Sequence, residues 1–124
     1  MADTIKKKQN ELIDTIIKGI KEKKGLNITC INLSKLENAV TDHFIICHGT
    51  SNIQVEAIGE SVIDFVRKTL NYKTWHMEGF ENAEWILLDY FDVVVHIFQE
   101  ETRNFYKLEE LWADSEIRHI ESNY

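Results

Sequence analysis

Cysteine is scarce in this sequence, and long apolar runs are absent from it. Cys30 and Cys47 are the only cysteines among 124 residues, too few and too isolated for a disulfide framework. Because both lie in apolar, strand-like runs, we expect buried, reduced thiols in a cytosol. No run approaches the roughly 20 apolar residues of a membrane span, and no signal peptide or arginine-rich transit segment precedes the first helix pattern. We therefore expect a bacterial cytoplasmic protein without membrane contact.

Positive charge is scarce in the second part of the chain. Residues 1–75 carry 11 Lys and Arg against 9 Asp and Glu, whereas residues 76–124 carry 3 against 12, within a net charge of −7. An acidic half repels a nucleic-acid backbone and attracts a basic protein, although acidic surface also serves solubility alone. We expect no direct DNA binding, and a nuclease or an RNA chaperone is the least favoured class of function.

The longest apolar and β-prone stretch spans residues 84–98. One ordinary strand is rarely that long, and an acidic break at 89–92 divides the stretch into two runs, which predicts a β-hairpin. A buried helix is the alternative, but three successive valines at 93–95 would lose side-chain freedom in a helix. A two-residue loop at Tyr90-Phe91 would set Asp89 opposite Asp92 and Trp85 opposite His96.

The two faces of this hairpin differ in composition, because side chains alternate along each strand. One face, here called the aliphatic face, carries Ile86, Leu88, Val93, Val95 and Ile97. The other, here called the mixed face, carries Trp85, Leu87, Asp89, Asp92, Val94, His96 and Phe98. The aliphatic face suits packing under helices. The mixed face suits either a binding surface or the second half of a two-sided core.

The remaining patterns predict three helices and three further strands. The helices run from a cap at Asp3 or Thr4 to Gly25, from a capping box at Ser51 to about Leu70, and around the apolar stripe of Phe105, Leu108, Leu111 and Trp112. The strands are Leu26–Leu33, His43–His48 and Lys73–Glu78. We predict a single α/β domain at 1–114, with helices packed on a mixed sheet of about five strands. A C-terminal tail at 115–124 would follow, because Ala113–Tyr124 favours a frayed helical extension or a loose tail.

The chain offers few candidates for catalysis. His43 and His48 are five residues apart on one strand, so they point to opposite faces and cannot bind one metal. The turn 49–51 (Gly-Thr-Ser) precedes a helix and can bind phosphate through backbone amides, but it lacks a glycine-rich loop with lysine, so helix capping explains it better. A nucleotidyltransferase-like enzyme or nucleotide-binding protein is the alternative function. It would use this turn for phosphate and Glu78, Asp89 or His96 for metal.

Several segments together form a pattern typical of one protein family. They are residues 41–51, 78–79, 83–89 and 92–96, with Arg103, Tyr106, Leu108-Glu109 and Leu111-Trp112. The pattern resembles the ribosomal silencing factor family, also called iojap-related proteins, over about residues 4–114. One departure is Phe91, which stands where the family usually has glycine between the hairpin strands. A type I′ turn would require a positive φ of this phenylalanine.

The resemblance implies a translation repressor without catalytic, cofactor or metal sites. Such proteins bind the large ribosomal subunit through its fourteenth protein and block joining of the small subunit when nutrients are short. Their fold is similar to that of nucleotidyltransferases but lacks the catalytic carboxylates, and two-metal chemistry needs such a pair. Partner contact is implied around Trp85, hence on the mixed face, with Asp42, Glu109 and Trp112 as weaker candidates. When free, the protein can form a homodimer through the same face.

Overall fold

The structure, a computed structural model, describes residues 2–122 and residue 124. Its helices are α1 (Ala2–Glu22), α2 (Asn52–Leu70) and α3 (Glu100–Tyr106), and a 3₁₀ helix, here called the 3₁₀ segment, spans Leu108–Trp112. Its strands are β1 (Leu26–Asn32), β2 (His43–Gly49), β3 (His76–Glu78), β4 (Trp85–Asp89), β5 (Val93–Gln99) and β6 (Glu116–Ile120). Residue 1 of the predicted domain and residue 123 of the predicted tail lie outside the described residues.

The six strands form one mixed sheet in the order β3-β4-β5-β2-β1-β6. β2 and β5 are parallel, and the other neighbours are antiparallel. A parallel pair needs a long crossover, and α2 lies within the one that leads from β2 towards the hairpin. The single α/β domain with a mixed sheet is therefore confirmed, with one strand more than predicted.

The aliphatic face packs against α1 and α2, as predicted. Its five hairpin residues are all buried in one cluster with apolar residues of both helices. The two helices approach each other closely at Gly19, where a Cβ atom would lie 2.8 Å from the Cα atom of Val62. Ser61 Oγ donates a hydrogen bond of 2.8 Å to the Gly19 carbonyl at the same crossing. Cys30 and Cys47 are buried free thiols, as expected.

Helix ends follow the sequence at α2 but not at α1. The hydroxyl of Ser51 accepts a hydrogen bond from the backbone N–H of Gln54, which confirms the predicted cap. α1 already begins at Ala2, so the predicted caps Asp3 and Thr4 lie inside the helix. Its C-terminal left-handed residue is Lys24, with φ of 60°, rather than the predicted Gly25. No helix among the described residues has the length and apolarity that a membrane crossing requires.

The hairpin register differs from the predicted one by two residues. Trp85 pairs with Phe98 rather than with His96, and the N–H of Tyr90 donates to the carbonyl of Val93 over 2.9 Å. The two-residue loop is therefore 91–92, not 90–91. Phe91 takes φ of 74° in the first loop position, and the N–H of Asp92 donates to the carbonyl of Tyr90 over 3.0 Å, which is the hydrogen bond of a γ-turn rather than of a type I′ turn. Both predicted faces survive, because a shift of two residues preserves alternation.

The C-terminal part differs most from the prediction. The predicted helix around Phe105–Trp112 is wrong, because Lys107 adopts a left-handed conformation with φ of 49° and separates α3 from the 3₁₀ segment. Phe105 and Leu111, expected on a buried stripe, are 79% and 71% exposed. Residues 116–120 form β6, which pairs antiparallel with β1 at the edge of the sheet. They are neither a frayed helical extension nor a loose tail.

Candidate functional site

The mixed face continues across the whole sheet. At one level of the register, Glu78 of β3 lies beside Leu87 of β4, which lies beside His96 of β5 and then Ile46 of β2. The exposed β3 end of this row is polar, and the β2 end is apolar and buried. The face therefore changes from solvent-exposed to covered along the row.

Trp85 lies at the boundary between the exposed and the covered parts. Its half-buried ring packs against Phe98 and Tyr106, with centroid distances of 4.8 and 5.1 Å. Its indole N–H donates a hydrogen bond of 3.1 Å to Nδ1 of His96. The ring is thus held in one orientation while part of it stays open to solvent, which is typical of a preorganised anchor for a partner.

The 3₁₀ segment covers the apolar part of the mixed face. Trp112 packs edge-on against Phe44 at a centroid distance of 6.0 Å, and Leu108 joins the same cluster. Val94, His96 and Phe98 beneath this cluster are 7%, 5% and 0% exposed. The predicted binding face is therefore open only at Trp85, Leu87, Asp89 and Asp92. The other three predicted contacts belong to a second core that the hairpin alone does not reveal.

His96 is buried with one ring nitrogen unsatisfied. Nδ1 accepts a hydrogen bond from the Trp85 indole N–H, so in the neutral ring Nε2 carries the hydrogen, and Nε2 has no partner among the described residues. Burial lowers the pKa of His96 from 6.5 to about 4, against a smaller opposing effect of Glu109. His96 is thus neutral at physiological pH. The Trp112 indole N–H is likewise buried without a partner in the described part of the chain.

Arg103 fixes the 3₁₀ segment to the sheet. Its Nη1 group donates 2.8 Å to the Asn27 carbonyl and lies 3.0 Å from Nδ1 of His48, while Nε donates to Glu109. Burial and then the Arg103 charge lower the pKa of His48. Sequence reasoning included Arg103 in the family pattern without a role. The Arg103–Glu109 pair spans the left-handed break at Lys107, so no regular helical spacing signals it.

The weaker candidates all make internal contacts. Asp42 accepts a hydrogen bond of 2.7 Å from the Gln9 amide of α1, and Glu109 holds Arg103. Trp112 anchors the 3₁₀ segment against Phe44. A direct partner contact by these three residues remains a prediction, and each has a structural role here.

The residues proposed for an enzyme are not assembled into a metal site. Among residues 2–122 and 124, no group of three or more His, Cys, Asp or Glu side chains is placed to hold a metal ion. Glu78 instead pairs with His76 over 3.2 Å, and Asp89 accepts the N–H of Phe91. The turn 49–51 is occupied by the α2 cap, because Gln54 Oε1 accepts the N–H of Thr50.

Several known proteins are similar to this chain. The family model described as "Ribosomal silencing factor during starvation" matches residues 6–123. The chain belongs to the ribosomal silencing factor family. It is 34% identical over 111 residues to ribosomal silencing factor RsfS of Halalkalibacterium halodurans, covering 90% of this chain and 93% of that protein. It is 36% identical over 100 residues to RsfS of Bacillus subtilis, covering 81% and 83%.

The fold of the silencing-factor family is also that of a solved neighbour. A crystal structure of a protein from Chromobacterium violaceum superposes with a TM-score of 0.79 at 33% identity, covering 84% of this chain and 85% of that chain. At 33% identity the two chains are similar in sequence as well as in fold. The resemblance stated from the sequence segments is therefore confirmed.

One exposed feature of this silencing factor was missed by sequence reasoning. Trp75 and Phe91 are 66% and 63% exposed, and their rings pack together at a centroid distance of 4.9 Å. They form an aromatic pair at the tip of the hairpin. The signal that could have found it is Phe91 itself, the departure from the glycine usual in the family pattern.

Proposed function

We propose that this silencing factor represses translation by binding the large ribosomal subunit through its fourteenth protein. Bound there, it blocks joining of the small subunit sterically and lowers translation when nutrients are limiting. It acts in the cytoplasm and catalyses no reaction. The observation that carries this proposal is Trp85, a half-exposed indole held by His96 on the open part of an acidic-rimmed face.

Trp85 has the properties of an interface anchor. Interface energy concentrates in a few aromatic or arginine side chains at well-packed positions surrounded by weaker contacts. Trp85 packs against Phe98 and Tyr106, and Leu87 lies beside it on the same face. A partner that covers Trp85 and Leu87 would remove apolar surface from water without first having to order the indole ring.

Charge supports a basic partner. Asp89 and Asp92 lie at the hairpin end of the open face, and residues 76–124 as a whole carry 12 acidic against 3 basic residues. Opposite charges across an interface accelerate association and fix its register more than they add affinity. We assign direct contact to Trp85, Leu87, Asp89 and Asp92. Val94, His96 and Phe98 support Trp85 from below.

Self-association of the free protein would use the same open face. Exposed apolar surface around Trp85 is available to a second copy as well as to a ribosomal protein. Binding to the large subunit would then compete with the homodimer, and mass action would set the balance between the two. Light scattering of the free protein across a concentration series measures how strongly this homodimer forms.

Sedimentation tests the proposed function. Purified protein is mixed with isolated large subunits, layered on sucrose, and sought in the pellet at low and at physiological salt. We expect co-sedimentation and a loss of complete ribosomes when small subunits are added afterwards. Protein that stays in the supernatant at low salt, or pellets without reducing subunit joining, would contradict the proposal.

A further inference from the structure

Phe91 combines two unfavourable properties in one side chain. Its φ of 74° lies in a backbone region that residues other than glycine, asparagine and aspartate rarely adopt. Its ring is also 63% exposed, so burial in the core does not compensate for this backbone conformation. Strained backbone persists where the surroundings hold it in place, and such positions cluster at functional sites. Within the free protein the Phe91 ring packs against Trp75, which is itself mostly exposed.

Asp89 holds Phe91 and Trp75 together. One of its carboxylate oxygens accepts the backbone N–H of Phe91 over 2.8 Å, and its backbone carbonyl accepts the N–H of Trp75 over 2.8 Å. Thr41 adds a third tie, because its hydroxyl donates 2.7 Å to the Phe91 carbonyl. The aromatic pair is therefore anchored at the backbone of both residues while most of both rings faces solvent. Little backbone entropy therefore remains to be lost on binding.

The pair lies beside Asp89, at the opposite end of β4 from Trp85. Trp85 begins β4 and Asp89 ends it, a span of four residues or about 13 Å. A standard interface covers about 800 Å² on each partner, which is wide enough to include both ends of this strand. The acidic side chains of Asp89 and Asp92 lie at the pair's end, so a partner that reaches it meets apolar surface beside negative charge.

We propose that Trp75 and Phe91 form a second anchor for the basic protein of the large subunit that binds at Trp85. This inference rests on the proposed function and adds to it two residues outside the segments that carry the family resemblance. The partner would present an apolar side chain to the two rings and lysine or arginine to Asp89 and Asp92. Anchoring at both ends of β4 would fix the orientation of the bound protein as well as its position.

Two substitutions test the pair without entering the core. Trp75→Ala removes an exposed ring, and Phe91→Gly removes the other while relieving the positive φ. We expect each variant to bind large subunits at least about 10-fold more weakly in a sedimentation titration, the loss typical of an interface anchor. We expect Phe91→Gly to keep a melting temperature at or above that of the wild type. Ile53→Ala is the matched control. Ile53 is 76% exposed and belongs to α2, a helix that packs on the opposite side of the sheet.

The outcomes separate this inference from the function on which it rests. If Trp75→Ala and Phe91→Gly bind within about twofold of the wild type while Trp85→Ala is impaired, the second anchor is wrong and the proposed function stands. If wild-type protein does not bind large subunits, the proposed function fails and the inference with it. If Trp75→Ala only converts a dimer into a monomer, the pair binds a second copy of this chain, which also overturns the inference.

Discussion

The indole N–H of Trp85 donates its hydrogen bond to Nδ1 of His96, which lies 3.1 Å away. The two residues therefore depend on each other. The imidazole orients the half-buried indole, and the indole selects the tautomer of the buried imidazole. A protonated His96 would carry hydrogen on both nitrogens and could no longer accept this bond. The orientation of the proposed anchor is thus coupled to the neutral state of a buried histidine.

Replacing Trp85 tests the anchor directly. Trp85→Ala should reduce large-subunit affinity about 30-fold to 1000-fold, because truncating an interface anchor costs about 2 to 4 kcal/mol. The variant should still fold, although it loses contacts with Phe98 and Tyr106. Binding is measured by sedimentation titration and folding by circular dichroism, with Ile53→Ala as the control. Normal binding by a folded Trp85→Ala protein would show that the interface lies elsewhere.

Stability should fall in acid because of His96. Burial lowers its pKa from 6.5 to about 4 in the folded protein, so between these values the unfolded chain binds a proton that the native state does not. Stability from this group is present above pH 6.5 and is lost as the pH falls towards 4, by about 3 kcal/mol in total. Urea unfolding at several pH values measures it. A His96→Gln variant should show a flatter pH dependence, since His43 and His48, whose pKa values are also lowered, remain in both proteins. Equal slopes would show that His96 does not titrate in this way.

Arg103 should be the most costly ion-pair residue to remove. Arg103→Ala leaves the Glu109 carboxylate and the Asn27 carbonyl without their donor, and breaking a buried pair on one side costs about 3 kcal/mol. The control is Arg67→Ala, whose fully exposed pair with Asp64 is screened by solvent, so its removal should cost far less. Both values come from urea unfolding. Similar losses for the two variants would mean that Arg103 does not fix the 3₁₀ segment.

Gly79 should not tolerate a side chain. Its φ is 92°, and a Cβ atom there would lie 2.0 Å from the Trp85 carbonyl oxygen, so Gly79→Ala should destabilise the protein by about 3 kcal/mol or more. Gly49→Ala is the control, because Gly49 has no positive φ and its added atom meets only the side chain of Gln54, at 3.0 Å. Thermal unfolding should show a much larger drop for Gly79→Ala. Comparable melting temperatures would indicate that the turn before β4 can move aside.

Local patterns predicted the elements that local forces determine. Alternation assigned the aliphatic and mixed faces of the hairpin correctly, and the capping box located the start of α2 at Ser51. The register was missed because Phe91 lies in both the predicted and the observed loop, and a shift of two residues leaves the alternation of both strands unchanged. The turn is held there by Asp89 and Thr41, and the Thr41 contact comes from 50 residues away.

The residues of the predicted mixed face differ in burial in a way that the sequence did not indicate. Residues of the mixed face share one surface, as alternation requires, yet His96 and Phe98 are buried beneath a segment that was expected to be a regular helix. Lysine carries no sequence signal for the left-handed conformation that Lys107 adopts. The buried role of Arg103 depends on long-range contacts, such as that with Asn27 across 76 residues, which single-sequence periodicity does not report.

The position of β6 at the edge of the sheet bears on how the protein is made. His119 of β6 contacts Thr29 of β1, and 90 residues separate the two along the chain. While the polypeptide is being synthesised, β1 emerges early and lacks its outer neighbour until β6 has also left the exit tunnel. Non-local pairing of this kind slows folding and leaves a strand edge open in the meantime. The sheet can therefore be completed only after β6 has been translated, so the outer edge of β1 stays unpaired while every element between the two strands is synthesised.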